Sequence, residues 1–414
     1  MSGNTRGPGE SRAIRLAQFV RSFHLGGTEG QALELVRGLQ GFDLLLGVLR
    51  REGPLLNQAL ALGHLPAAFP LGPSYAHPAT LRQMARVARW IQRNGVEVIH
   101  AHDLYTTLLV APVARLLRRG LVVGRLDMAH FQSGTQRALL AQLTRVADAV
   151  VVNADAIRRM LVTEEGVHPS RVHVVHNGLD LRRFDSLASL GLRAPLPETG
   201  GHPVVVHVAN MNHPVKRQED LLEALARLAA RGTVLHAWFI GDGPRRAEVE
   251  SRRDALGLQH TAHFLGHRLD VPAVLSRANV GVLCSSAEGL SNAVMEGMAA
   301  GLPMVVTRVG GNPELIAHGE RGLVVEPHRP AQLAEALAEL LAEPGRARQM
   351  GAKARAFVQE KLSVEQLCAR HAEIYRAVAL RASVPTTSER AAHPEAFSFA
   401  ARPDSSAGTI PGPS

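Results

Sequence analysis

Along most of the chain, short apolar runs alternate with longer segments in which apolar residues recur every three or four positions. Runs of the first kind predict β-strands, and segments of the second kind predict amphipathic helices. In the first half of the chain the predicted strands cover residues 14–19, 44–48, 96–100, 121–126, 147–152 and 170–176. Predicted helices cover residues 31–39, 80–94 and 106–117. Strands that alternate with helices in this way form stacked β-α units, and therefore a parallel sheet.

The same alternation begins again after residues 191–203, a segment rich in proline and glycine that we interpret as a hinge. The predicted strands of this second half cover residues 204–208, 234–240, 261–265, 280–284, 304–307 and 322–325. Its predicted helices cover residues 218–230, 247–256, 271–276, 330–341 and 345–361. Because 414 residues are too many for one ordinary domain, we predict two domains, at residues 13–190 and 204–362.

Both ends of the chain fall outside this pattern. Residues 1–12 have no apolar run, and residues 383–414 are rich in proline, serine, threonine and alanine. Such segments cannot bury enough apolar surface to fold, so we expect both to be disordered. A last helix, at residues 363–382, is expected to pack back toward the first domain.

The most informative stretch is residues 283–314, where two strand-to-helix turns lie at one edge of the predicted sheet. Helix N-termini at such an edge attract anions, because their N–H groups are unpaired and the helix dipole points outward. Glu288 lies in the first turn, and Glu296 lies one helical turn after Asn292. A helix cap and a solvated glutamate would explain each residue separately. Carboxylates that accept sugar hydroxyls beside a phosphate-binding edge instead predict a nucleotide-sugar ligand.

Two further features point to the same edge. Lys216 follows the strand at 204–208 through a polar loop, and a cation there would offset the charge that builds on a leaving pyrophosphate. The glycine-rich turn at residues 26–30 would let the backbone approach a phosphate and leads into a helix. It matches neither the dinucleotide fingerprint nor a Walker A loop, so a purely structural turn is an equal alternative. Ligands of two such domains bind in the cleft between them.

The sequence offers no obvious metal or cofactor site. Cys284 and Cys368 give no disulfide framework, and Cys284 is expected to be a small buried hydrophobe. There is no Asp-x-Asp pair and no His/Cys cluster at ligand spacing. His100 and His102 alternate along a strand end and are expected to be buried structural histidines. We therefore expect chemistry without a metal or a cofactor.

The formal charge of +9 fits nucleic acid, anionic lipid or an anionic substrate, or merely an arginine-rich composition. Aromatic-basic sheets, zinc spacing and basic heptads are all missing from the sequence, so we expect no nucleic-acid partner. No signal peptide and no apolar run of about 18–20 residues is visible. We expect a cytoplasmic protein that rests at most on the inner face of a membrane.

The stretch from Glu288 to Glu314 resembles the signature of family 4 glycosyltransferases, in which seven residues separate two glutamates. Asn177-Gly-Leu-Asp180, Phe239-Ile-Gly-Asp-Gly-Pro244, Phe264-Leu-Gly-His267 and the early Gly-Gly turn match the same family in the same order. The resemblance implies an α/β GT-B fold, with two Rossmann-like domains whose parallel sheets face each other across a cleft. It also implies metal-independent sugar transfer from a nucleotide donor with retention at the anomeric carbon.

In this family pattern the second domain binds the donor and the first binds the acceptor. Glu296 would hold the ribose hydroxyls, Glu288 the donor sugar hydroxyls, and Lys216 would supply charge. Backbone amides at Leu290, Ser291 and Asn292 would meet the diphosphate. The resemblance also assigns to the donor site Gly26, Gly27, Gly243, His267, Arg268 and Gly289.

Two positions depart from the family pattern. Where the family often has an arginine before the lysine, this chain has Asn210, so the diphosphate charge would rest on Lys216, with Arg217 or Arg308 as possible helpers. Where many members carry a histidine after a strand of the first domain, this chain reads Asp127-Met-Ala-His130. Either Asp127 or His130 is therefore expected to face the donor and to belong to the catalytic set.

The resemblance implies a glycan or lipid-linked acceptor, in surface polysaccharide or glycolipid assembly. The predicted helix at 80–94 carries Arg82, Arg86, Arg89 and Arg93 on one face, which suits contact with anionic lipid, although a solvated face is the stronger explanation. A GT-B-fold sugar-nucleotide epimerase is an alternative that would need a further acid/base set. A non-catalytic GT-B sugar-binding subunit is a second alternative.

Overall fold

The computed structural model describes residues 12–24, 26–75, 77–128 and 133–383. Within them lie two parallel sheets. The first has seven strands in the order β3-β2-β1-β4-β5-β6-β7. These are β1 (Ile14–Val20), β2 (Phe42–Val48), β3 (Ala67–Ala68), β4 (Val98–Ala101), β5 (Gly120–Arg125), β6 (Ala149–Val152) and β7 (Val172–Val174).

The second sheet has six strands in the order β10-β9-β8-β11-β12-β13. These are β8 (Val204–Val208), β9 (His236–Ile240), β10 (Ala262–Gly266), β11 (Val280–Leu283), β12 (Met304–Thr307) and β13 (Gly322–Val325). In both sheets the strand order reverses beside the first strand of the half, at β1 and β8. Ligands of open parallel sheets bind outside the carboxyl ends of the strands at such reversal points. The prediction of an α/β fold with two parallel sheets is confirmed.

Helices connect the strands and cover the sheets. Those of the first half are α1 (Gly27–Gly38), α2 (Leu56–Ala61), α3 (Pro78–Arg93), α4 (Leu104–Leu116), α5 (Gly134–Arg145), α6 (Asp155–Thr163) and α7 (Leu181–Ser189). Those of the second half are α8 (Gln218–Ala229), α9 (Arg246–Ala255), α10 (Val271–Leu275), α11 (Asn292–Ala299), α12 (Asn312–Leu315), α13 (Pro330–Ala342), α14 (Pro344–Lys361) and α15 (Val364–Ser383). The central strands are buried on both faces, as parallel sheets require.

The last helix, α15, returns to the first sheet. The ring of Tyr375 is fully buried there, and its hydroxyl lies 2.7 Å from Nδ1 of His100 on β4. His100 and His102 are both buried, as expected for structural histidines. The crossing point is fixed by the amide of Leu179, which donates to the carbonyl of Leu362 at 2.8 Å. The chain therefore passes between the two halves twice.

Candidate functional site

A cavity of about 540 Å³ lies between the carboxyl edges of the two sheets. Nearly all the residues predicted for the donor site line it: Gly26, Gly27, Asp127, Lys216, His267, Arg268, Glu288, Gly289, Leu290, Ser291, Asn292 and Glu296. The strand ends of both halves thus contribute to one space, which is large enough to enclose much of a nucleotide-sized ligand.

Two predicted residues are not among those that line the cavity. Gly243 has φ +155°, and a β-carbon there would crowd the backbone of Met211. Its glycine is explained by this close approach of two loops rather than by contact with a ligand. His130 lies outside the described residues. Of the two candidates for the donor face, Asp127 lines the cavity, and it also lines an adjoining space of about 130 Å³ beside Lys216 and Glu288.

The turn between β11 and α11 brings the predicted glutamates into the cavity. α11 begins after Ser291, whose hydroxyl accepts a hydrogen bond from the amide of Val294 at 3.4 Å. The first amides of a helix have no partners within it, and here the residues that carry two of them, Asn292 and Ala293, line the cavity. The turn therefore offers an anion both unpaired N–H groups and the positive end of a helix dipole.

Glu288 and Lys216 form an ion pair at the floor of the cavity. Lys216 Nζ lies 2.6 Å from Glu288 Oε1, and their side chains are 21% and 9% exposed. The hydroxyl of Ser285, which is fully buried, donates to the same carboxylate oxygen at 2.6 Å. Glu288 is thereby held in one orientation while its other oxygen, Oε2, takes no part in these two contacts.

The residues next to Lys216 fix the backbone that carries it. Arg217 adopts a left-handed conformation (φ 51°), and the thiol of Cys284, buried as expected, lies 3.0 Å from its carbonyl oxygen. Burial, together with the nearby charge of Lys216, lowers the pKa of His207 to about 4. His207 is therefore neutral at physiological pH and does not compete with Lys216 as a cation.

Neither arginine considered as a helper of Lys216 reaches the cavity. The guanidinium of Arg217 contacts Asp220 at 2.6 Å, and that of Arg308 contacts Glu326 at 2.8 Å. Carboxylates of their own surroundings hold both side chains. Among the described residues that line the cavity, the cationic side chains are those of Lys216 and Arg268.

Arg268 is also committed to a structural partner. It is 7% exposed, lies 2.6 Å from Asp270, and donates to the carbonyl of Ala194 at 2.9 Å. Hydrogen bonds from Arg268 and from the amide of Arg193 lower the pKa of Asp270 to about 2. This pair therefore ties residues 191–203 to the second sheet, and Arg268 contributes to the cavity wall from a fixed position.

Glu296 has a different electrostatic environment from Glu288. Burial raises the pKa of its carboxyl to about 7. A carboxyl group whose charged form is disfavoured in this way gains most when a ligand supplies hydrogen-bond donors to it. Two hydroxyl groups of one ribose would supply such donors.

Residues of the first half also contact the donor loop, which we define as residues 288–292. Asn177 Nδ2 lies 2.7 Å from Asn292 Oδ1 and 3.2 Å from the carbonyl oxygen of Leu290. Asn292 Nδ2 also lies 3.4 Å from the carbonyl oxygen of Gly27. A β-carbon at Gly289 would overlap the carbonyl oxygen of Leu126, so glycine is required for this close approach. The sequence reasoning gave no role to Asn177, although the residue begins one of the matched segments.

No group of three or more metal-ligating side chains lies close enough together to hold an ion in the part of the chain that the structure describes. Within the same residues, no helix combines the length and apolar character needed to cross a bilayer.

Two family models match the chain in succession. The model described as Glycosyltransferase Family 4 matches residues 25–183, and the model described as Glycosyl transferases group 1 matches residues 202–343. Together they cover more than two thirds of the chain and divide it between the two sheets.

Curated relatives and solved structures agree with these models. N-acetyl-alpha-D-glucosaminyl L-malate synthase of Bacillus anthracis is 25% identical over 307 residues, covering 72% of this chain and 79% of that protein. D-inositol 3-phosphate glycosyltransferase of Nocardia farcinica is 28% identical, covering 68% and 66%. A crystal structure of Anabaena Alr3699/HepE in complex with UDP and glucose has a TM-score of 0.77 at 21% identity, covering 88% of this chain and all of that one.

Proposed function

The chain belongs to the group 1, family 4 glycosyltransferases, enzymes that use nucleotide-sugar donors, and we propose that it transfers a hexose or N-acetylhexosamine with retention. The proposed donor is a UDP- or GDP-sugar, and the proposed acceptor is a glycan or a lipid-linked sugar. One observation carries the proposal. Glu288, Lys216, Glu296 and the first turn of α11 line one cavity between two parallel sheets.

Each part of a nucleotide-sugar has a counterpart in this cavity. The amides at the start of α11 would bind the diphosphate, and Lys216 would neutralise part of its charge. Glu296 would accept hydrogen bonds from the ribose hydroxyls, and Glu288 from hydroxyls of the transferred sugar. His267, which is exposed at the cavity mouth, would flank the base.

In the proposed reaction, the bond between the anomeric carbon and the phosphate oxygen breaks while the acceptor oxygen attacks from the same face. The leaving phosphate takes the proton of the acceptor hydroxyl. Lys216 and the α11 amides stabilise the charge that develops on that phosphate, so no metal ion is needed in this scheme. Because Arg217 and Arg308 point elsewhere, Lys216 carries most of the side-chain contribution.

The proposed acceptor side is the first half of the chain. On α3, Arg82, Arg86, Arg89 and Arg93 are all exposed, and Leu81 is 55% exposed beside them. A helix face of this kind binds anionic lipid headgroups and would hold the enzyme at the inner face of a membrane, near a lipid-linked acceptor. The setting we propose is the cytoplasmic assembly of surface polysaccharide or glycolipid.

A panel of UDP-, GDP- and dTDP-sugars tests this function. Slow donor hydrolysis is followed by release of the nucleoside diphosphate, with and without EDTA, while the anomer released is read by NMR. We expect hydrolysis of at least one donor, unaffected by EDTA, with the α or β configuration of the donor kept. Epimerised donor would support the epimerase alternative instead, and binding without turnover would support a non-catalytic subunit.

A further inference from the structure

Helix α6, in the first half of the chain, starts without a capping side chain of its own. Its N-cap residue is Ala154, whose methyl group cannot accept a hydrogen bond. The carboxylate of Asp155, the first helical residue, contacts Arg158 and Arg159 instead. Helix N-termini without a cap are unfavourable, because their first amides have no partner within the helix.

The missing cap comes from the other half of the molecule. Glu314, on α12 in the second half, accepts hydrogen bonds from the amides of Asp155 at 2.9 Å and Ala156 at 3.1 Å. Its Oε2 also lies 3.3 Å from Nε2 of His176. Burial alone would raise the pKa of Glu314, but these hydrogen bonds hold it below its ordinary value. A negative charge at a helix N-terminus is also favoured by the helix dipole.

The segment that carries Glu314 is packed directly on the donor loop. The amide of Gly311 donates to the carbonyl of Gly289 at 2.8 Å. A β-carbon at Gly310 would overlap the carbonyl of Glu288, and one at Gly311 would crowd both Ala154 and Leu290. Two residues, Asn312 and Pro313, therefore separate Gly311, which contacts the donor loop, from Glu314, which contacts α6.

We propose that Glu314 is a positioning residue. By capping α6 from the opposite half, it holds the two halves closed and keeps the donor loop in place against the first sheet. Asn177 acts beside it, because its side-chain amide bridges to Leu290 and Asn292 across the same boundary. The catalytic part of this inference rests on the proposed function.

The effect of losing the contact follows from its type. A capping interaction changes the equilibrium that it controls by about 2- to 30-fold. If only the closed form turns over, kcat falls in proportion to the closed population, which falls by at most this factor. Binding of UDP should change by less than about 2-fold, because the residues proposed to hold it lie mostly in the second half.

Two substitutions separate closure from simple helix stability. Glu314→Ala removes the cap and, with it, the contact that Glu314 makes between the halves. Glu314→Ala combined with Ala154→Ser gives α6 a cap of its own, but does not restore the contact of Glu314 with α6. Glu320→Ala is the matched control, because it removes an exposed carboxylate close by on the same half. Glu314→Gln serves if the alanine variant does not fold, since an amide oxygen can still accept from one of the two N–H groups.

The measurements are the melting temperature, the radius of gyration with and without UDP, and kcat and KM for donor hydrolysis. We expect Glu314→Ala to lower the melting temperature, to enlarge the UDP-free protein and to lower kcat by up to about 30-fold. Adding Ala154→Ser should restore the melting temperature but neither the size nor kcat. Recovery of kcat together with stability would overturn the proposal, as would a Glu314→Ala variant as compact as Glu320→Ala. If the wild type turns over no donor, the proposed function fails, while the radius of gyration still decides closure.

Discussion

Glu288 and Glu296 both line the cavity between the sheets, but their electrostatic environments differ. Glu288 is charged against Lys216 and held by Ser285, so its position is set before any ligand arrives. Glu296 has a pKa raised to about 7 by burial. Burial disfavours the charged form of Glu296. A ligand that donates hydrogen bonds to this carboxylate would stabilise the charged form and gain binding free energy from it.

Replacing Glu296 by glutamine should lower the affinity for the donor and raise the stability of the folded protein. Between pH 4.5, its ordinary pKa, and about 7, the folded protein holds a proton that the unfolded chain has released. The contribution of Glu296 to the free energy of unfolding therefore falls as pH rises through this range and stays low above it. At pH 8 the variant should be more stable than the wild type by about 1–3 kcal/mol, and near pH 4.5 the difference should vanish.

Melting temperatures at pH 5 and pH 8 measure this effect. Calorimetric titration measures the affinity for UDP, which should fall about 10-fold because the ribose loses a hydrogen-bond partner. Glu320→Gln, at an exposed position, is the control for the change of charge. A variant whose extra stability is the same at both pH values would contradict the assignment of the raised pKa to Glu296.

At the scale of elements, Gly289 shows how closely the donor loop approaches the first sheet. A β-carbon there would meet the backbone at Leu126, which cannot move aside as a flexible side chain could. Gly289→Ala should therefore push the two halves apart and lower kcat about 10-fold or more, with a smaller effect on UDP binding. Gly345→Ala is the matched control, because nothing lies within 4 Å of the added carbon. Equal kcat values for the two variants would argue against close contact between the halves during turnover.

The basic face of α3 provides a prediction about membrane contact. Each arginine near an anionic bilayer contributes about 1 kcal/mol to binding. Arg82→Glu with Arg86→Glu should therefore lower co-sedimentation with phosphatidylglycerol vesicles by about 10-fold or more. Arg329→Glu with Arg348→Glu changes the net charge equally at exposed positions of the other half and should have little effect. Unchanged binding by the α3 variant would leave that face merely solvated.

Hydrophobic periodicity predicted the strands of the second sheet well, because each is a compact apolar run; β8, β12 and β13 have the predicted bounds. It missed α5, although Ser133 and Gln136 form a capping box there, and it missed α6, whose N-cap residue is an alanine. The two-residue strand β3 is too short to have a period. A local pattern can predict an element only when the residues that stabilise the element lie within it.

At the scale of the whole molecule, the same limit applies to the site. Glu288 and Lys216 could be predicted because each lies in the loop after a strand, and Glu296 because it lies in the helix that follows the first of these loops. The partners that fix the cavity come from distant segments: Glu314 contacts Asp155, and Arg268 contacts Ala194. Pairings between two halves of a chain depend on how the sheets dock, which no local pattern encodes. Gly243 differs from these residues. It was predicted as a site residue, but its glycine is needed because the backbone of Met211 approaches it closely.

The two halves divide the proposed work. The second sheet presents the carboxylates, the lysine and the helix N-terminus that suit a donor, while the first closes the cavity through Gly27, Asp127 and Asn177. Only Lys216 and the fixed Arg268 supply side-chain cations among the described cavity residues. Transfer should therefore depend on Lys216 far more than on any other single basic residue.

Release of nucleoside diphosphate from the best donor, compared between the wild type, Lys216→Gln and Arg308→Gln, tests this claim most directly. Removal of one stabilising group at a developing charge costs about 100- to 1,000-fold in kcat. We predict a loss of that size for Lys216→Gln and a rate within about 2-fold of the wild type for Arg308→Gln, whose side chain pairs with Glu326. Circular dichroism and melting temperature verify that both variants are folded. A folded Lys216→Gln variant that releases the diphosphate at the wild-type rate would contradict the account.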